Sequence, residues 1–200
     1  MKQTNLLIGI APWVLFSMIA ERLGANLVGV AALAAGAGSL FLAVRGMRES
    51  GLKVIDAAGV VTFAVLAVVG FLGDHHVRTL LVDYGRGGCA VVLALVMFVS
   101  ALTVPFTEQY ARAEVDRRYW GSPVFRAMNR RISLMWAGLI AVMAASHLTQ
   151  GALADSGSSF NGNLLLNWVV PVLLILLGMR QTQRIAAESA APAQRTGASA

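Results

Sequence analysis

The sequence predicts an all-α fold, a polytopic transmembrane helical bundle of six segments. Three observations carry that expectation. Of the 200 residues, 57% are hydrophobic and only 13% charged, against roughly 25% charged in a typical soluble domain. The mean hydropathy is +0.68. The apolar residues also cluster in blocks close to a membrane span in length, where a soluble helix would show a narrow apolar stripe.

The blocks run over residues 6–20, 25–45, 54–73, 88–106, 132–149 and 163–179. Crossing a hydrocarbon core of about 30 Å takes about 20 helical residues at about 1.5 Å each. Blocks two, three and four meet that length, and five and six reach it by recruiting flanking residues. The first block is short and borderline for a full crossing: it contains Pro12, and only Glu21-Arg22-Leu23-Gly24 separates it from the second. Lys2 ahead of it gives some likeness to a cleaved leader, but Ser17–Glu21 offers no clean small-x-small cleavage site.

Lysine and arginine set the expected orientation. With the N-terminus inside, 13 of the 16 fall in cytoplasmic segments, and only Arg22, Arg78 and Arg86 fall outside. This bias predicts a cytoplasmic C-terminus, and a cytoplasmic N-terminus if block one spans. Residues 1–184 form the expected bundle, with a cytoplasmic amphipathic loop at 107–131. Residues 185–200, rich in Ala, Ser, Pro and Gly, read as a disordered tail. The net charge of +6 is distributed as a topogenic signal, so nucleic acid is not an expected partner.

The loop 107–131 is the most distinctive stretch. Tyr110, Arg117, Arg118, Trp120, Arg126 and Arg130 mix basic and aromatic side chains, a combination suited to the headgroup region of membrane lipid or to docking another inner-membrane protein. Among polar residues near or within the blocks, Asp56, Asn129 and Asn167 are candidates for interhelical bonds. Asn167 stands four residues before Pro171, near an expected kink. The small residues of block two, such as Ala34 and Gly38, suit close helix packing within the bundle, or a homo-oligomer seam.

No catalytic, cofactor or metal site is expected. His75, His76 and His147 all fall on the external side, but their spacing puts no ligand pair on one helix face. Gly157-Ser158-Ser159 reads as an external loop, and none of the nucleophile-elbow, zinc-protease or phosphate-loop motifs occurs. Because the blocks hold no central charge, proton-coupled transport is hard to build on this reading.

The layout resembles the intracellular septation protein A family and related bacterial multi-pass inner-membrane proteins. The likeness rests on Ala11-Pro12-Trp13-Val14-Leu15-Phe16 with its tight hairpin and on Gly73-Asp74-His75-His76. It also rests on Phe125-Arg126-Ala127-Met128-Asn129-Arg130 leading into the Trp136 helix. The present chain has a longer loop after block four, and that family is usually credited with five spans. The resemblance implies a non-enzymatic scaffold supporting envelope maintenance or division through protein partners. A small transporter or channel is the alternative expectation, and a membrane enzyme with an external metal site ranks third.

Overall fold

Helix formation follows the apolar blocks but outruns them at most ends. The computed structural model describes residues 3–49, 51–156 and 162–197, and among these it holds helices and turns but no strand. Helix α1 spans Gln3–Leu23. Gly24, at φ 69°, makes the corner to a 3-10 turn, Ala25–Leu27, and α2 follows over Val28–Glu49. That positive φ is open to glycine without a steric cost. Then come α3, Val54–Leu72, and α4, His75–Leu102. The short α5 covers Phe106–Ala111 and the long α6 Pro123–Asp155. A π-turn, Leu165–Val169, opens onto α7, Val170–Gly197.

Three boundaries correct the sequence expectations. The Asp74 side chain accepts from the Val77 amide at 2.9 Å, which starts α4 directly after Gly73. Residues 75–87, expected in an external loop, therefore form its first turns. Likewise Ser122 accepts from the Phe125 amide at 3.2 Å, with Pro123 at the first helical position, so the last part of the expected loop, from Pro123 on, belongs to α6. The expected disordered tail is helical as far as Gly197, and Ile185 is buried. Gly157-Ser158-Ser159 lies outside the described residues.

Five helices among the described residues are long and apolar enough to cross a membrane: Ala25–Arg48, Val54–Leu72, His75–Leu102, Pro123–Asp155 and Leu165–Ser189. Their outer faces carry large apolar side chains, with Phe41, Val61, Leu95 and Leu173 each more than half exposed. Water would penalise such a surface, whereas lipid does not.

Inside, small residues let backbones meet. A Cβ built on Gly70 would lie 2.7 Å from the Gly29 Cα, so α2 and α3 touch main chain to main chain. Ala31, Ala32 and Ala35 are buried in the bundle, which is where α2 uses its small-residue face. Aromatic rings fill the wider gap beside it, with the Phe63 centroid 5.1 Å from Trp13 and 5.6 Å from Phe16. Where α6 meets α7, Trp136 Nε1 donates to Thr182 Oγ1 at 3.0 Å, and that hydroxyl donates to the Gly178 carbonyl at 2.8 Å.

At the opposite end from the α1–α2 and α3–α4 turns, α5 plugs the bundle. Thr107 Oγ1 donates to the Asn129 carbonyl at 2.9 Å, and Gln109 Oε1 accepts from the Val54 amide, also at 2.9 Å. The plug thereby ties α6 to the start of α3.

Candidate functional site

Pro171 generates the most unusual local structure. Proline has no amide hydrogen, so it cannot cap the carbonyl four residues back in α-register, or five back in π-register. Those carbonyls belong to Asn167 and Leu166. The chain widens into the π-turn here, with Val170 N bonded to the Leu165 carbonyl, and side chains from other helices take up the two freed oxygens. Ser146 Oγ donates to the Leu166 carbonyl at 2.7 Å. Arg86 Nη1 reaches the Asn167 carbonyl at 3.5 Å, a long and weak bond. Single π-turns within helices occur disproportionately at functional positions.

Around this turn the side chains form one network. Arg86 Nη2 donates to Glu21 Oε2 at 2.7 Å and to the Ser17 carbonyl at 3.1 Å. Glu21 Oε1 accepts from Asn163 Nδ2 at 2.8 Å, and Asn163 Oδ1 accepts from Asn167 Nδ2 at 2.6 Å. Asn167 Oδ1 in turn accepts from His147 Nδ1 at 2.8 Å, which leaves Nε2 of a neutral ring available as an acceptor. The Arg86 guanidinium stands 5.2 Å from the Trp168 ring centroid. Residues of α1 and the π-turn thus converge on an α4 arginine whose side chain is only 10% exposed, and α6 joins them through the His147–Asn167 bond.

The network separates two cavities. One, of about 180 Å³, is almost wholly apolar; its lining includes the exposed Val14 of α1 and Val172 of α7 and the buried Leu93 and Ile140. The other, of about 190 Å³, is more polar, with Glu21, Asp83, Gln150 and Asn163 set among apolar residues such as Phe16 and Leu81. Ser17, Arg86 and Asn167 line both. Gln150 Oε1 is buried there without a hydrogen-bond partner. An apolar cleft closed at one end by a single polar layer can hold an amphiphile, its chain in the cleft and its head on the layer.

The residues singled out from sequence divide between the two ends of the bundle. Asn167 joins the network. Asp56 is buried in the first turn of α3, and its Oδ1 has no partner. Asn129 turns its amide back onto the Phe125 carbonyl of its own helix at 2.9 Å; its main chain, not its side chain, holds α5. Tyr110, expected on a lipid or partner surface, faces inward and is 2% exposed. Burial, with the Asp56 carboxylate nearby, raises its phenol above the ordinary range. On the surface, Arg117 stacks 5.7 Å from the Trp120 ring and Arg118 4.7 Å from Tyr119. Arg126 and Arg130 lie exposed on the first turns of α6.

Arg86, Glu21, Asn163 and His147 were not assembled by sequence reasoning. The available signals were the i,i+4 pairing of Asn163 with Asn167 and the helix start that Asp74 provides. His75 and His76 stay exposed at the start of α4, apart from the buried His147. No group of three metal-ligating side chains is found among the described residues.

Comparison of the chain with family models, with curated proteins and with solved structures finds no match. Fold and site together define a class: a multi-pass helical bundle of membrane type, with a partly buried ionic network at one end over an apolar cleft.

Proposed function

We propose that the chain is a six-segment protein of the bacterial inner membrane, both termini cytoplasmic, that binds a membrane amphiphile in the α1–α7 cleft. In this reading it supports envelope maintenance by holding that molecule, without catalysing a reaction. The position of Arg86 carries the proposal. Arg86 is sixteen residues before the end of α4 at Leu102, about 24 Å along the axis. His147 stands the same sixteen residues beyond Arg131 on the antiparallel α6. Both side chains therefore sit just inside the outer edge of a core about 30 Å thick. Ionisable groups are costly at that depth and as a rule mark a ligand or transport path.

Lipid tails already solvate an acyl or prenyl chain, so the cleft gains little from apolar burial alone. Selectivity then falls to the polar end, where Arg86, Asn167 and His147 can meet a hydrogen-bonding or anionic head group. The envelope setting is what the likeness to the septation family implies. Sidedness is supported by the arginine-rich α5 end, which the positive-inside rule puts in the cytoplasm.

The experiment is lipid analysis of the purified full-length chain. Wild type should retain one lipid class enriched over the membrane extract. Val172→Trp, filling the cleft mouth from a lipid-exposed position, should lose it. Arg86→Gln should keep a chain but relax head-group choice. The same bulk lipid composition in all three proteins would defeat the proposal.

A transporter is the second reading, favoured by the polar cavity on the far side of Arg86. A layer one side chain thick between two cavities resembles a closed gate. Solute flux in proteoliposomes that Arg86→Gln abolishes would favour this reading, and silence across a broad solute panel would count against it.

A further inference from the structure

The basic segment joining α4 to α6, at the opposite end of the bundle, is not used by the outer cleft. There a surface pocket of about 540 Å³ lies between the α4–α5 corner and the first turns of α6. Three arginines line it: Arg112 at the end of α5, and Arg126 and Arg130 one turn apart on α6. Glu108 is the one carboxylate. It is buried and holds Arg112 at 2.6 Å, and Trp120 packs against the same guanidinium, its ring centroid 5.1 Å away. Arg112 is therefore a positioned cation rather than a free surface chain.

Arg126 and Arg130 have no hydrogen bond or ion pair among the described residues. Like charges four apart on a helix repel, and the α5 arginine adds a third. Three arginines against one glutamate leave the pocket a formal +2. On its rim, Val104 and Leu102 are about half exposed, and Val124 of α6 is exposed close by. An ionic floor beside an apolar rim matches a molecule with an anionic head and hydrocarbon tails.

We propose that this pocket is a binding site for the phosphate head group of an anionic phospholipid of the cytoplasmic leaflet. It rests on the reading that the chain spans a membrane, but not on the outer cleft having a ligand. Arginine forks pair with phosphate oxygens more directionally than a diffuse positive surface does. Arg117 and Arg118, in the same segment, are occupied differently, stacked on Trp120 and Tyr119. They provide a charge-matched control, because generic attraction to anionic lipid depends on how many charges are present and not on which ones.

The test titrates the full-length chain, purified in neutral detergent, with phosphatidylglycerol, with phosphatidylcholine and with inorganic phosphate, following binding by native mass spectrometry and thermal shift. Phosphatidylglycerol should bind at least about tenfold more tightly than phosphatidylcholine. The double variant Arg126→Gln/Arg130→Gln should lose about tenfold in that affinity, while Arg117→Gln/Arg118→Gln stays within about twofold of wild type. All four side chains are exposed, so folding should survive; Arg126→Lys/Arg130→Lys, which keeps charge but not the fork, should fall between. Equal losses in the two glutamine variants would reduce the pocket to bulk charge and overturn the proposal. Stabilisation by inorganic phosphate equal to that by phosphatidylglycerol would overturn the lipid assignment.

Discussion

Asn167 shows how much one side chain can hold. Its amide oxygen and nitrogen bond His147 and Asn163, linking α6 to the chain entering the π-turn. Asn167→Leu keeps the bulk but takes one hydrogen bond from each partner, which should cost about 1–2 kcal/mol. Reversible unfolding in mixed micelles measures this. Stability within about 0.3 kcal/mol of wild type would mean that the network does not form. Asn167 was legible in the sequence because Pro171 follows four residues later and must free carbonyls. Arg86 was not. Apolar windows measure exposure to lipid rather than helicity, so they placed the start of the fourth block after it. The same bias left Tyr110 on the surface, since a charged segment reads as solvated even where one face is buried.

At the scale of elements, sequence located every long helix and misjudged their ends. The missed starts of α4 and α6 are written in capping chemistry, Asp74 and Ser122-Pro123, rather than in hydropathy. α1 is the element on which topology turns. Its 21 residues reach about 31 Å, and Trp13 and Phe16 are buried deep in the bundle despite Pro12. A full crossing predicts that epitopes at the N- and C-termini are both protected in intact spheroplasts and both exposed after permeabilisation. An N-terminal epitope reached from outside while the C-terminal one stays protected would make α1 a re-entrant or surface element.

For the whole molecule, the two ends of the bundle do different things. One end is arginine-rich, with α5 as a plug and a surface pocket lined by three arginines. The other gathers α1, α4, α6 and the π-turn over an apolar cleft that opens between α1 and α7. Composition and the lengths of the apolar blocks made the membrane-type helices legible from sequence. The cleft was not legible, because it depends on four helices meeting at one depth, and spacing along a single chain does not record that. Photo-cross-linking tests the cleft most directly, with a reactive amino acid at Val172 on its mouth or at Val61 on the lipid face of α3. The account predicts one amphiphile class captured at position 172 and the bulk lipid mixture at 61. The same mixture at both positions would contradict it.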